Sequence, residues 1–277
     1  MNTFTKRFFS VILAFSLLAF TACSDKGVSS SSSQSKLKTI TVGATPAPHA
    51  EILNACKDIL KEKGYELKIV EFGEYALINP ALSDGDLDAN FFQHTPYLND
   101  YCEKQNADLT ALIKVHFEPL GIYGGKSTSL EIISDGCEIA VPNDSTNEAR
   151  SLKLLEDNGL IKLKTGAGLS ATINDITENP HNINFIEMAA AQIPRILSDV
   201  DFAIINGNYA LDADISDKLI ITENPDSDAA QEFANVIAVK SENAQDPAIL
   251  ALKDAITSQE VRVFIETQYN QTVIPVF

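Results

Sequence analysis

From Lys38 onward the chain alternates two hydrophobic periods. Lys38-Thr-Ile-Thr-Val-Gly-Ala44 is a β-branched run, Thr45-Pro-Ala-Pro48 is turn-like, and 49–63 is amphipathic, a sequence of strand, turn and helix. Gly64 stands where a helix commonly ends on a left-handed residue, and 65–72 alternates into a second strand. A helix over 75–83, a turn at Asp84-Gly85 and a third strand over 87–92 follow. The order then recurs: a strand over 137–141, a helix over 146–158 closed by Gly159, and strands over 183–188 and 202–205. No sequence repeat accompanies this recurrence. Strands alternating with helices predict an α/β fold of mainly parallel sheets with helices on their faces.

Two β-rich segments, 111–123 and 233–240, read as crossovers, with one α/β set between them and another outside them that includes helices over 248–267. A chain that leaves one lobe, builds a second and returns leaves a cleft above a hinge. The expected lobes are 37–118 with 237–277, and 119–236.

The first residues read as an address. Lys6 and Arg7 precede an apolar run over 8–20, interrupted at Ser10 and Ser16 and too short to span a bilayer. Thr21, Ala22 and Cys23 follow in the pattern of a lipoprotein cleavage site, so residues 1–22 are expected to be a signal peptide and Cys23 the acylated, palmitate-bearing residue. Residues 23–36, with serine at every position from 29 to 33, have a tether's composition. Acyl chains contribute roughly 0.8 kcal/mol per buried CH₂, so a firm anchor to the outer side of a membrane is expected.

Composition narrows the chemistry. Beyond the signal, 19 basic residues face 38 acidic ones, which disfavours nucleic acid as a partner. The three cysteines of the body, Cys56, Cys102 and Cys137, lack metal-ligand spacing and are expected to be small buried fillers, with one disulfide among them as the alternative for a secreted protein. Asp84, Asp86 and Asp88 mimic the start of a calcium loop, but Ala89 and Thr95 stand where its glycine and bidentate glutamate belong. Gly166 and Gly168 form a lone pair, and no nucleophile elbow, zinc-helix motif or phosphate loop is present. His49, His94, His116 and His181 are scattered along the chain. The reading is a binding protein without catalytic residues, metal or cofactor.

Five segments carry a resemblance: Val42-Gly-Ala-Thr-Pro-Ala-Pro-His49, Ala89-Asn-Phe-Phe-Gln-His94, Lys114-Val-His-Phe-Glu-Pro119, Val141-Pro-Asn-Asp-Ser-Thr-Asn-Glu-Ala-Arg150 and Ile205-Asn-Gly-Asn-Tyr-Ala210. In this order they resemble the methionine-binding lipoprotein family, often called MetQ or NlpA. The resemblance implies a two-lobed periplasmic-binding-protein fold of the second type. It also implies methionine as ligand and the permease and ATPase of an ABC importer as partners. D-methionine, a methionine-containing dipeptide or another small amino acid is the alternative ligand.

A buried zwitterion needs a cation for its carboxylate, acceptors for its ammonium and an apolar slot for its side chain. The resemblance assigns Arg150 to the carboxylate, where a guanidinium fork can grip two oxygens at once. That arginine is expected on a helix capped by Asn143 or Ser145. Asn206, at a strand's carboxyl end, and Asn235, in the second crossover, are expected to contact the amino-acid backbone, with Asn147 of the arginine's own segment. Tyr75, Phe91, Phe92 and Tyr97 are the candidates for the slot, since thioether sulfur packs on aromatic edges at about 0.3 to 1.5 kcal/mol per contact. Phe91 and Phe92 point to opposite faces of one strand, so one lines the slot and the other the core. His94 and His116 are placed at the cleft. Where family members commonly carry Asp-Tyr this chain has Glu74-Tyr75, and it lacks a second aromatic near 78, so its slot differs in shape.

Overall fold

The computed structural model describes residues 37–226 and 229–277, with only the backbone at 229 and 230. The expected signal, the tether and Cys23 lie outside the described residues.

The chain opens with β1 (Lys38–Ala44), whose Ile40, Val42 and Ala44 share one buried face. The expected first helix forms as two pieces, α1 (Glu51–Ala55) and α2 (Lys57–Glu62), and Gly64 ends it at φ 88° before β2 (Tyr65–Glu71). A single 3₁₀ turn over Tyr75–Leu77 leads into α3 (Ile78–Asp84), closed by Gly85 in the left-handed region, and then β3 (Ala89–His94). The pattern gave no sign of α4 (Thr95–Gln105), because only Leu98 of its residues is buried and no apolar stripe marks it. After β4 (Leu109–Phe117) the chain passes through Glu118, Pro119 and Leu120 into β5 (Gly121–Gly124).

The second set comprises β6 (Glu138–Pro142), α5 (Ser145–Asp157), a small antiparallel pair β7 (Lys162–Leu163) and β8 (Ile176–Glu178), and β9 (Asn184–Met188). Then come 3₁₀ turns over Ala190–Asp199, β10 (Phe202–Ile205), α6 (Gly207–Asp212) and β11 (Leu219–Thr222). The return passes α7 (Ala229–Glu232) into β12 (Asn235–Lys240), and α8 (Pro247–Ile256), α9 (Gln259–Tyr269) and β13 (Ile274–Pro275) complete the chain.

Two sheets result. The first has the order β13-β4-β12-β3-β1-β2 and the second β11-β5-β10-β6-β9. Both are mixed: β1 runs parallel to β2 and β3, and β6 parallel to β9 and β10, while β4, β12, β5 and β11 join antiparallel. The reason is the crossovers. β4 and β5 are joined directly across the sheets, and β11 and β12 through the single turn of α7, without the long helical return that keeps neighbours of one sheet parallel. By strand pairing Asn235 and Val236 already belong to the first sheet, two residues before the expected boundary.

One core packs α1, α8 and α9 on the first sheet, and another packs α5 on the second. Cys56 and Cys137 are buried and Cys102 is half-buried, all three as free thiols. Among the described residues no helix is long and apolar enough to cross a membrane.

The topology gathers the interesting residues at one edge. Thr45 and His94 follow or close the carboxyl ends of β1 and β3, and Asn235 at the start of β12 lies opposite both His94 and His116. In the second sheet, Asp144 and Asn206 follow the carboxyl ends of β6 and β10, and Glu223 follows β11. Strand carboxyl ends are where open α/β sheets bind ligands.

Phe91 is fully buried in the first core. Phe91→Ala is expected to lower the unfolding free energy by about 3 to 5 kcal/mol in urea titration, against about 0.5 kcal/mol or less for Val263→Ala on the exposed surface.

Candidate functional site

The polar half of the site is fixed by a chain of hydrogen bonds that begins at a carboxylate. Asp144, not Asn143 or Ser145, caps α5: its Oδ1 accepts the Asn147 backbone N–H at 3.0 Å, while Ser145 occupies the first helical position and donates to Asp100. Asp144 also accepts the Asn147 side-chain Nδ2 at 2.8 and 3.0 Å. A carboxylate only accepts, so Asn147 must turn its Oδ1 the other way. That oxygen receives Nδ2 of Asn206 at 2.9 Å and lies 3.2 Å from His94 Nε2. Nδ1 of His94 accepts the Tyr97 backbone N–H, so the proton of this imidazole is on Nε2. Asn206 is thereby left with its Oδ1 buried, aimed away from Asn147 and without a protein partner.

A second network centres on Glu118, which is buried in the first crossover. Its Oε1 lies 2.6 Å from His116 Nε2 and 3.4 Å from His49 Nε2, and the carboxylate also receives the backbone N–H of Asn208. Gly207 permits this approach, since a Cβ there would stand 3.0 Å from the Glu118 Cβ. His49 accepts Thr45 Oγ1–H on Nδ1 at 2.7 Å and points Nε2 at Asn235 Oδ1 at 3.2 Å. With Oδ1 facing His49, Asn235 has its Nδ2 left without a protein acceptor among the described residues. Burial pushes His49 down to about 4 and both His94 and His116 down to about 3, so all three are neutral at pH 7. Burial raises the Glu118 carboxyl above its ordinary value, opposed by His49, Arg150 and the Asn208 N–H.

Arg150, on the second turn of α5, is 4% exposed. Its Nε and Nη2 reach Oε1 and Oε2 of Glu223 at 2.8 and 2.5 Å, Nη2 also donates to the Glu118 carbonyl at 3.0 Å, and the rings of Phe233 and Phe117 lie 4.4 and 5.6 Å away. The fork expected to hold two ligand oxygens therefore already holds a protein carboxylate. Of the five guanidinium protons, the two on Nη1 are uncommitted among the described residues.

The apolar wall is built by Phe92, Tyr75 and Tyr97, with ring centroids 5.6 to 6.0 Å apart. Tyr75 also stacks on Tyr209 at 4.8 Å and donates its hydroxyl to Asn208 Oδ1 across the two sheets. These side chains line a small cavity with Gln93, His94, Glu118, Asn147, Arg150, Asn206, Asn208 and Asn235. A larger, more open cavity of about 980 Å³ is walled largely by residues 153–169, and the buried Arg150 in its wall is paired with Glu223.

Of the ten expected ligand residues, eight line the small cavity. Phe91 does not: alternation along β3 turns it into the core against His49 and His116, and Phe92 takes the slot. His116 stands behind Glu118 and braces it. Glu118, Asn208 and Glu223 were missed. Glu118 lay inside one of the family-like segments, but nothing local distinguishes a glutamate that turns inward, and Glu223 reaches Arg150 only through the return crossover.

The chemistry available is recognition. Thr45, His49 and Glu118 line up as hydroxyl, imidazole and carboxylate, but Thr45 is fully buried and absent from the cavity wall, so its oxygen meets no substrate. His49, His116 and Glu118 bring ligand atoms within 4.8 Å of one another, close enough in principle for a metal ion. His116 Nε2–H is instead engaged by the carboxylate, and His49 Nε2–H by Asn235 Oδ1 with the carboxylate 3.4 Å away. Opposed donors and acceptors beside an aromatic slot fit a small-molecule-binding site.

Comparison with known proteins agrees. The NlpA lipoprotein family model matches residues 40–277, and the chain belongs to this family of substrate-binding proteins. It is 37% identical over 265 residues to the methionine-binding lipoprotein MetQ of Bacillus subtilis, covering 94% of this chain and 96% of that one. It is 39% identical over 240 residues to the membrane lipoprotein TpN32 of Treponema pallidum, covering 86% and 88%. Among solved structures, a nutrient-binding protein from Burkholderia cenocepacia bound to methionine superposes with a TM-score of 0.82 at 40% identity, covering 86% of this chain and all of that one. A lipoprotein from Ruminococcus gnavus gives 0.85 at 47% identity, with 87% and 100% covered. The protein's place is extracytoplasmic and membrane-associated, as for the lipoproteins of this family.

In nitrogen-15 imidazole spectra, His49, His94 and His116 are expected to remain neutral from pH 5 to 8. A titration midpoint inside that range at any of the three would contradict the hydrogen-bond assignments.

Proposed function

We propose that this protein captures methionine in the cavity between its sheets and delivers it to an ABC importer while tethered through an acylated Cys23. The observation that carries the reading is the arrangement of uncommitted groups. Arg150 Nη1 and Asn235 Nδ2 are donors for a carboxylate, the orphaned Asn206 Oδ1 and the Glu118 carboxylate are acceptors for an ammonium, and Phe92, Tyr75 and Tyr97 receive an unbranched apolar side chain. The methionine named for the Bacillus subtilis and Burkholderia cenocepacia proteins fits this order of groups.

The two sheets would then belong to lobes, 37–118 with 235–277 and 119–234, that close over the ligand with the return hinge just before β12. Contacts between them support this: Tyr75 on Asn208, Tyr209 Oη on the Gly73 carbonyl at 3.3 Å, and Gln192 Nε2 on Glu74 at 3.4 Å. The permease and ATPase would recognise the closed form.

Calorimetric titration with L-methionine, D-methionine and glycyl-methionine tests the reading. One ligand per chain is expected, and Arg150→Ala should weaken binding by about 2 to 5 kcal/mol. Affinity retained within threefold would remove Arg150 from the site, and silence toward all three ligands would defeat the methionine reading.

A pH dependence follows from Glu118. A ligand ammonium prefers the ionised carboxylate, and burial holds that carboxyl above its ordinary 4.5, so affinity should fall as the pH drops toward the raised value. The ligand's own carboxylate stays charged down to about pH 3.5 or below. Glu118→Gln should bind more weakly at pH 7 and lose the acid dependence between pH 7 and 5; an unchanged profile would exclude Glu118 as the ammonium's partner.

A further inference from the structure

We infer that Glu223 is a positioning residue for carboxylate recognition: it clamps one edge of the Arg150 guanidinium, so that the opposite nitrogen meets the ligand, and fastens that guanidinium to both crossovers. The inference rests on the reading of Arg150 as the carboxylate's partner.

Three contacts carry it. Glu223 takes both Nε and Nη2 of Arg150, a two-point grip that fixes the plane of the guanidinium as well as its position. The same carboxylate accepts the Leu120 backbone N–H at 2.9 Å, while the Glu223 N–H donates to the Leu120 carbonyl at 3.0 Å, so Glu223 is itself held to the first crossover by side chain and backbone. Arg150 Nη2 then reaches the Glu118 carbonyl in that crossover at 3.0 Å. The arginine, carried by a helix of the second sheet, is thus bound to residues 118–120 where the chain leaves the first sheet and to residue 223 where the return begins.

The consequence is geometric and electrostatic. Five N–H donors would let a free guanidinium present several edges to an anion, but with the Nε–Nη2 edge occupied it presents Nη1 alone. A ligand carboxylate takes one oxygen there and needs a second donor, which Asn235 Nδ2 supplies from the far side of the return crossover. Glu223 also balances the arginine's charge in a place where an unpaired ion would be unfavourable. It is 10% exposed, so this pairing is little screened.

The test compares Glu223→Gln with the unchanged chain by calorimetry with L-methionine, and repeats the comparison in an Arg150→Lys background. Lysine keeps the charge but has no fork to orient. The expected result is affinity about tenfold or more weaker for Glu223→Gln with Arg150 present, and a change below about threefold when position 150 is lysine. Equal losses in both backgrounds would mean a merely structural role, and unchanged or tighter binding would mean that Glu223 competes with the ligand; either overturns the inference.

A second readout does not need ligand. The Arg150 Nε–H nitrogen-15 resonance should be sharp and protected from solvent exchange in the unchanged chain and broadened in Glu223→Gln. An unaltered resonance overturns the inference. If the unchanged chain bound no methionine compound, the ligand reading would fail while this resonance still decided whether Glu223 holds the arginine.

Discussion

A guanidinium removed from water sets the terms for everything around it. Arg150 lies between Phe117 and Phe233, and neither ring can satisfy its five N–H donors. A carboxylate must therefore come with it, and Glu223 does, from 73 residues away. That requirement draws β11 and its exit toward the start of β5, and it keeps the two crossovers side by side beneath the cavity. The same burial leaves Glu118, held by two neutral imidazoles and a backbone N–H, as a negative group facing a polar cavity. An occupant with separated charges of opposite sign completes what these two residues leave open.

Orientation in the rest of the site is inherited along hydrogen bonds. Asp144 can only accept, which turns Asn147; Asn147 then turns Asn206 and holds His94. Glu118, which can only accept, keeps the His49 proton on Nε2, so Nδ1 accepts from Thr45 and His49 turns Asn235. Each asparagine thus presents one defined end to the cavity, oxygen from Asn206 and nitrogen from Asn235. An amide could otherwise present either end with little difference in energy, and a binding site built on unfixed amides would accept a carboxylate and an ammonium in either sense. The carboxylates of Asp144 and Glu118, which can only accept, are what remove that degeneracy.

The fold was legible wherever an element carried a periodic apolar face. β1, β10 and α5 match their patterns because burial and period coincide, and Gly64 marks its helix end through a left-handed φ that only glycine adopts readily. α4 was not legible because it buries one side chain, and the antiparallel strands were not because strand direction depends on connection rather than on composition. In the site, residues on long family-like segments were recoverable, and the distinction between Phe91 and Phe92 was foreseen as an alternation but not as a choice. Glu223 was invisible for a physical reason. Its role comes from a partner in another element, and its own neighbours, Thr222 and Asn224, carry no signal of burial.

The division of labour within the cavity says where selectivity must reside. On the proposed reading the polar groups would meet features that every α-amino acid has, and so would supply attraction without discriminating among side chains. Discrimination would then fall to Phe92, Tyr97 and Tyr75, and Tyr75 does two things at once: its ring forms the wall, and its hydroxyl reaches Asn208 on the other sheet. A side chain too short to pack against the ring leaves that wall unsupported, and one too bulky displaces it and breaks the bond to Asn208. Closure of the cavity would therefore be coupled to the shape of the side chain through one residue, and an importer that reads the closed form would receive information about the ligand's identity without touching it.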